Sequence, residues 1–260
     1  MNIFRFICVM NFVFQGNLFS MDLHHFEEVK NLYITYGNEK YMLKEEIVQR
    51  SHVLQAALLA DIGGAPEDVI IALLLHDIGQ IADKDYLGKI DFLHERHDEI
   101  GAKWLLEHGF PQFVADFVRF HTLAKVVLCM EEKDYFDNLS IASQESYFIQ
   151  KNKYLNEPGQ VTFRAFFEHP RVEDIKLARK CDDMAKIVCL NEKISDDQKV
   201  VLPTFDTYYE MFVRVCDRKD KQAVCPNWRQ NINSLHSQMI NDRSAFEDKI
   251  KAIMTIPSFQ

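Results

Sequence analysis

The stretch Val69-Ile-Ile-Ala-Leu-Leu-Leu-His-Asp-Ile-Gly79 decides how this chain folds. Its apolar residues surround every side of a helix, so the pattern predicts a helix that is buried on all faces. That helix runs directly into His76 and Asp77, and burying such groups without partners would be costly. A hydrogen bond between the two would satisfy an isolated pair. Whether they form a functional site therefore depends on polar residues elsewhere in the chain.

The rest of the 260-residue chain is also predicted to be helical. The low content of glycine (9) and proline (7) favours long helices over strands joined by turns. The helical pattern before the quoted stretch covers Glu45 to Ile62 and is stopped by Gly63-Gly64. Four of the later predicted helices cover His97–His108, Tyr135–Gln150, Val172–Val188 and Asn231–Ile253. We predict an all-α helical bundle over residues 21–190, with residues 191–260 as a C-terminal helical extension packed on it.

Residues 1–20 are predicted to be a leader outside the fold. The run from Ile3 to Phe14 is apolar, but it is too short to cross a bilayer and has no small-residue cleavage site after it. Met21 opens a soluble amphipathic stretch, so the preceding residues are expected to be disordered or not translated. The six cysteines contain no Cys-x-x-Cys pair, which predicts reduced thiols and a cytoplasmic protein.

The charge of the chain restricts the class of partner. A formal net charge of −9 argues against nucleic acid or an anionic membrane surface. A small anionic substrate is still compatible with it, because a local basic pocket can oppose the overall charge. The composition leaves the oligomeric state open.

Further histidines and one aspartate in predicted helices supply partners for the His-Asp pair. The six candidate metal ligands are His52, His76, Asp77, His97, His121 and Asp182. An adjacent histidine and aspartate suit a site for two ions, because the imidazole can bind one ion while the carboxylate bridges both. Neutral imidazoles with hard carboxylates suit iron, manganese or zinc, and the sequence has no evident thiolate site.

The order of these ligands is the signature of the HD-domain superfamily, and the chain resembles its PhnZ-like mixed-valence diiron oxygenases. The similarity runs from about Tyr36 to Lys186 and omits both ends. His-Asp-Ile-Gly is shared with many phosphohydrolases, whereas His-x3-Lys-x2-Leu-Cys and Tyr-x3-Leu-Ser-x-Ala-Ser are much more specific. The matching stretches are Glu45–His52, Ala72–Gly79, His97–Leu105, His121–Cys129, Tyr135–Ser143 and Cys181–Lys186.

The resemblance implies a role for each ligand. One iron would be held by His52, His76, Asp77 and Asp182. Asp77 would bridge to a second iron held by His97 and His121. Asp183 is the alternative to Asp182, and the family pattern favours Asp182.

The resemblance also implies a substrate pocket. The residues that match the family's substrate contacts are Lys125, Ser143, Gln150, Arg179 and Lys186. Cations and hydroxyl donors are what a doubly charged phosphonate requires. Taken singly, Lys125 could instead snorkel from a helix face, and Arg179 and Lys186 could lie on a solvated face.

The entrance of the predicted site departs from the family pattern. The family places a tyrosine and a glutamate upstream of the first histidine, where they gate the second iron and contact the substrate. Tyr36 and Glu39 copy that local motif but lie too far from His52. Glu45 has the right spacing, and its partner Tyr41 is then one residue out of step.

Gln80 is a second departure. Phosphonate-cleaving members usually carry a histidine directly after His-Asp-Ile-Gly, where it helps to bind the phosphonate. A glutamine at this substrate-binding position can donate an amide hydrogen bond but cannot become cationic. The change affects the expected substrate more than the metal site.

These features predict an enzyme. The resemblance implies that two iron ions (Fe2+/Fe3+) use dioxygen to cleave the C–P bond of a small 1-hydroxyphosphonate, giving phosphate and a carboxylic acid. A related oxygenase acting on another substrate is a variant of this hypothesis. The alternative is a phosphohydrolase for a nucleotide or phosphoester, in which manganese or zinc activates a water. Retention of all six ligands argues against a degenerate binding domain.

Overall fold

Eleven α-helices make up the part of the chain that the structure describes. The computed structural model describes residues 23–38, 47–82, 90–187, 202–217 and 225–254, with side chains from residue 96 onward in the third range. The leader at 1–20 and the candidate gate residues Glu39, Tyr41 and Glu45 lie outside the described residues. In chain order the helices are α1 (residues 23–36), α2 (Gln49–Ile62), α3 (Glu67–Leu75), α4 (Ile90–Glu107), α5 (Gln112–Glu131), α6 (Ile141–Leu155), α7 (Gln160–Glu168), α8 (Val172–Met184), α9 (Tyr209–Cys216), α10 (Trp228–Asn241) and α11 (Arg243–Met254).

The central helix α3 is buried along its whole apolar length, as its sequence predicts. No residue from Val69 to Leu75 is more than 2% exposed. Pro66 precedes the helix, and Glu67 and Asp68 occupy its first turn, where negative charge is favourable. Helices α2, α5, α8 and α9 pack around it. The prediction of an all-α fold is confirmed, since the described residues form no β-strand.

A close backbone approach places the end of α3 against α4. After His76 and Asp77 the chain makes a 3-10 turn over Ile78–Gln80, which packs on α4. A Cβ atom at Gly79 would lie 2.0 Å from the carbonyl oxygen of His97. Only glycine fits this contact, which brings the His-Asp pair beside the next candidate ligand.

Several predicted helix boundaries are wrong. Helix α4 begins at Ile90 and not at His97, and α6 ends at Leu155 and not at Gln150. Helix α6 begins at Ile141 and not at Tyr135, because the Ser140 hydroxyl accepts the Ser143 amide at 3.3 Å and caps the helix. Helix α8 ends at Met184, since Ala185 and Ile187, which follow it, form hydrogen bonds to α2. The predicted helix from Asn231 to Ile253 is broken at Asp242, whose carboxylate accepts the Ala245 amide at 3.0 Å and starts α11.

The C-terminal helices share the core of the bundle. Phe205 stacks on Tyr33 of α1 with ring centroids 5.0 Å apart, and Phe212 contacts Phe26 at 5.3 Å. Their apolar side chains join the same buried cluster as those of α1 to α8. Within the described ranges, no helix has the length and apolar content that a membrane span requires.

Candidate metal centre and anion pocket

Four buried histidines face one another in two pairs. The Nε2 atoms of His52 and His76 lie 3.1 Å apart, and those of His97 and His121 lie 3.0 Å apart. All four side chains are less than a tenth exposed. They come from α2, from the residue after α3, from α4 and from α5, so the packing of these helices alone brings them together.

Backbone hydrogen bonds fix the protonation of three of these rings. The Nδ1 atoms of His52, His76 and His121 contact carbonyl oxygens of Ala185, Leu73 and Val118 at 2.8, 2.6 and 2.6 Å. A carbonyl only accepts, so each Nδ1 carries the hydrogen and each neutral ring presents a bare Nε2. Two bare nitrogens at 3.1 Å repel each other unless a cation lies between them. The His52–His76 pair is therefore arranged to hold a metal ion.

Asp77 lies between the two pairs. Its Oδ2 is 3.4 Å from His76 Nε2, and its Oδ1 is 3.3 Å from His97 Nε2. The carboxylate is 1% exposed, and Oδ2 has no hydrogen-bond partner among the described residues. One oxygen directed at each pair is the arrangement that a bridging carboxylate requires.

Asp182 completes the first group, and Asp183 points elsewhere. Asp182 Oδ1 is 3.1 Å from His52 Nε2. Asp183 instead accepts hydrogen bonds from Tyr135 and Arg179, and the Arg179 guanidinium also bonds Asp182. Burial acts to raise the pKa of Asp182, but the Arg179 guanidinium, His76 and His52 together outweigh it and hold that pKa well below its usual range. Asp182 is thus kept ionised, as a metal ligand must be.

The donor atoms form two groups that fit a pair of metal ions. The first contains His52, His76 and Asp182, and the second contains Asp77, His97 and His121. Burial and the proximity of His97 lower the pKa of His121 to about 3, and burial lowers that of His76. Both rings are neutral at neutral pH, as ligation requires. The centre is a dimetal site of imidazole and carboxylate ligands.

Two buried lysines and three serines lie beside the first metal group. Lys186 Nζ donates to the hydroxyls of Ser140 and Ser143, both at 2.8 Å. Lys125 Nζ bonds the Ser146 hydroxyl at 2.7 Å and the Ser143 carbonyl at 3.3 Å. The serines lie on or next to the first turns of α6, and we name these five residues the lysine–serine cluster.

Both cations of the cluster are buried. Lys125 is 2% exposed and Lys186 is 4% exposed, so neither snorkels nor lies on a solvated face. Burial lowers the pKa of Lys125 well below its usual range, and repulsion from Arg179 adds to this. An anion placed here would relieve both effects, because it would pair with the buried ammonium groups.

The other predicted substrate residues differ in how deeply they are buried and in their hydrogen-bond partners. Gln150 is 7% exposed, and its Oε1 has no hydrogen-bond partner among the described residues. Arg179 is buried and engaged by Asp182 and Asp183, but its Nε is left without a partner within the described chain. Gln80 is half-buried in the 3-10 turn after Asp77. Tyr36 ends α1, half-buried against the main core.

Sequence reasoning missed a charged network behind the second metal group. The buried carboxylate of Asp98, next to His97, accepts hydrogen bonds from Lys153, Thr122 and Tyr154. Burial acts to raise its pKa, but Lys153 outweighs this and brings the pKa of Asp98 to about 2. The network joins α4, α5 and α6, and so fixes the helices that carry His97 and His121. The direct adjacency of Asp98 to His97 is the signal that could have revealed it.

Comparison with known proteins adds a family and three relatives. The HD domain profile matches residues 50–139. The chain is 35% identical over 162 residues to (1-hydroxy-2-(trimethylamino)ethyl)phosphonate dioxygenase (glycine-betaine-forming) of Leisingera caerulea, covering 62% of this chain and 79% of the relative. It is 36% identical over 157 residues to hydroxymethylphosphonate dioxygenase of Gimesia maris, covering 60% and 75%. An uncharacterised protein of Acanthamoeba polyphaga mimivirus is 31% identical over 170 residues, covering 64% and 74%.

Proposed function

The chain belongs to the HD-domain dioxygenase family of those two bacterial relatives, and from this premise we propose that it cleaves the C–P bond of a small 1-hydroxyphosphonate with dioxygen. Both oxygen atoms enter the products, one in phosphate and one in a carboxylic acid. The C–P bond, the carbinol C–H bond and the O–O bond break, new C–O and P–O bonds form, and the carbinol hydrogen leaves as a proton. The observation that carries this proposal is a dimetal site directly beside a buried lysine–serine cluster.

We propose iron for both ions. His52, His76 and Asp182 would hold one ion, His97 and His121 would hold the other, and Asp77 would bridge them. When bound, the pair supplies a reducing centre for dioxygen and a Lewis acid for the substrate hydroxyl. Among the described residues the second group has two histidines besides the bridge, which would leave coordination positions for small molecules.

The protein groups position the phosphonate. Lys125 and Lys186 would neutralise its two charges, and the Ser143 hydroxyl would donate to a phosphonate oxygen. Their burial excludes water, which strengthens each of these attractions. Arg179 would keep Asp182 ionised and could donate from its free Nε. Gln150 supplies a buried acceptor for a substrate hydroxyl or ammonium group.

Gln80 and the candidate gate residues would contact the substrate and the second ion. Gln80 would donate a neutral hydrogen bond where the family pattern has histidine, so the preferred phosphonate is expected to differ from that of histidine-bearing relatives. Either Tyr41 with Glu45 or Tyr36 with Glu39 would gate the second ion. Reaction in the cytoplasm is expected, since six cysteines without a Cys-x-x-Cys pair in a chain of this size are typical of reduced thiols.

The test is the stoichiometry of dioxygen and phosphate. Purified protein should bind about two irons per chain and give a mixed-valence EPR signal after one-electron oxidation. With a panel of 1-hydroxyphosphonates, one dioxygen should disappear for each phosphate released. Protein that contains only zinc or manganese and releases phosphate from nucleotides without taking up dioxygen would establish the phosphohydrolase instead.

A further inference from the structure

The three residues after α8, Ala185 to Ile187, join the metal centre to the lysine–serine cluster, and we name them the strap. Gln55 of α2 is fully buried, and its side-chain amide bonds both backbone groups of Ile187. Its Nε2 donates to the Ile187 carbonyl at 3.1 Å, and its Oε1 accepts the Ile187 amide at 2.9 Å. The side chain pairs with the strap as a neighbouring strand would, which fixes the position and the rotation of that residue.

The strap carries two groups that the site depends on. The Ala185 carbonyl accepts the Nδ1 hydrogen of His52 and so presents its Nε2 to the first metal group. Lys186 reaches in the other direction and bonds Ser140 and Ser143. The strap therefore connects a metal ligand to an anion-binding cation.

A third bond holds the strap from the C-terminal extension. The Arg243 guanidinium, on the first residue of α11, donates to the Lys186 carbonyl at 3.1 Å. Gln55 and Arg243 therefore hold the strap from two different helices, α2 and α11. The neighbours of Gln55 on α2, from Ala56 to Leu59, are buried and apolar. Methionine would fill the space of Gln55 equally well, so packing does not require an amide there. The role of the buried amide is therefore to hold the strap.

We propose that Gln55 is a positioning residue for anion binding, because it fixes the strap and thereby holds Lys186 in the lysine–serine cluster. A lysine on an irregular segment would otherwise sample many conformations, and ordering it would weaken binding. This inference rests on the proposed phosphonate pocket.

The experiment measures the Kd of inorganic phosphate for the metal-loaded full chain by titration calorimetry. Gln55→Met keeps the side-chain volume and removes both bonds to Ile187. It should raise the Kd about tenfold, the effect expected for one or two buried hydrogen bonds. Metal content should stay at the wild-type level. The matched control is Gln49→Met, the same change at a buried position of the same helix, whose amide nitrogen has no partner among the described residues. It should leave the Kd unchanged.

A double variant separates positioning from a general loss of packing. Because Gln55 acts through Lys186, Gln55→Met should add nothing to the loss caused by Lys186→Met. A Kd unchanged in Gln55→Met, or losses that simply add in the double variant, would overturn the proposal. If Gln55→Met yields no folded protein, Arg243→Gln is the variant that tests the proposal. It should raise the Kd of phosphate about threefold. An unchanged Kd would contradict the role of the strap.

The readout is independent of turnover. A chain that binds phosphate with this coupling but consumes no dioxygen would contradict the oxygenase function and leave the role of Gln55 standing. If the chain turns over a hydroxyphosphonate but Gln55→Met leaves its Kd for phosphate unchanged, the oxygenase function stands and the role of Gln55 is contradicted.

Discussion

At the scale of single residues, the two histidine pairs and the aspartate between them set the chemistry of the centre. His52 and His76 present bare nitrogens to each other because their Nδ1 hydrogens are used by backbone carbonyls. Asp77 directs one oxygen at each pair. Each of these contacts is unfavourable or unsatisfied in the free protein and becomes favourable when cations bind. Metal affinity and local stability are therefore coupled at these residues.

Asp77→Ala should remove both metal ions together, because the same carboxylate serves both groups. Elemental analysis of the purified variant should find less than about a tenth of the wild-type metal, since losing a shared anionic ligand costs at least tenfold in affinity for each ion. Asp116→Ala, on the same helix as His121 but paired with the surface residue His169, should retain both ions. Full metal content in Asp77→Ala would contradict a bridging role.

The lowered pKa of His121 predicts how stability responds to acid. In the folded metal-free chain this pKa is about 3, against 6.5 for the free side chain. Below pH 6.5 the unfolded chain gains a proton that the folded chain does not, so the free energy of unfolding falls as the pH falls. One such proton contributes a slope of about 1.4 kcal/mol per pH unit.

His121→Gln should flatten that slope by about this amount between pH 6 and pH 4, measured by urea denaturation of metal-free protein. The exposed histidine His24, for which no contact to the centre exists in the described chain, provides the control, and His24→Gln should leave the slope as it is. An unchanged slope in His121→Gln would mean that the ring is charged in the folded state.

At the scale of elements, the 3-10 turn and α4 form the tightest contact of the site. Gly79 lies against the backbone of His97 and the amide of Gly101, so the turn that follows Asp77 is fitted to the helix that bears His97. Behind that helix, Asp98 ties α4 to α5 and α6. The second metal group therefore depends on how α4 is seated.

Gly79→Ala should separate the turn from α4, because its Cβ would lie 2.0 Å from the His97 carbonyl oxygen. We expect a loss of about 2–3 kcal/mol in the free energy of unfolding, typical of overpacking, measured by urea denaturation. The second ion, bound by His97 and His121, should be lost before the first. Gly109→Ala is the comparison: no atom lies within 4 Å of its added Cβ, although its φ of +76° imposes strain, so it should retain both ions.

At the scale of the whole molecule, the C-terminal helices are part of the bundle and of the site. Phe205 and Phe212 cover Tyr33 and Phe26 of α1. Arg243 reaches the strap from α11. The domain boundary predicted at residue 190 thus separates two stretches of sequence that share one hydrophobic core.

A chain ended at residue 190 should fail to fold into a stable unit. Each aromatic side chain that it uncovers is worth about 1.5–3 kcal/mol of burial, and a typical domain has a net stability of only about 5–15 kcal/mol. Near-UV circular dichroism and thermal unfolding should show loss of fixed packing. Cooperative unfolding at the wild-type Tm would show that the extension is dispensable.

The sequence by itself determined the helical fold class and predicted which imidazole and carboxylate side chains come together in the fold. The apolar residues of α3 must be buried in any fold that the chain adopts. The histidine and the aspartate at its end then need hydrogen-bond or metal partners. These features are local, because they depend on residue type and on a helical period. The end of α2 at Ile62 and the start of α3 at Glu67 could be predicted for the same reason. The boundaries at Ser140 and Asp242 instead depend on single capping bonds that compete with helix continuation.

Only the tertiary structure decided how the ligands divide and what holds them. The separation of Asp182 from Asp183, the bare nitrogens of the histidine pairs, and the roles of Gln55, Asp98 and Arg243 arise from contacts between residues far apart in the chain. Such contacts depend on how helices pack and which backbone carbonyl each ring meets. The sequence pattern of a single segment cannot predict these contacts, because each contact joins two helices and forms only when both have packed.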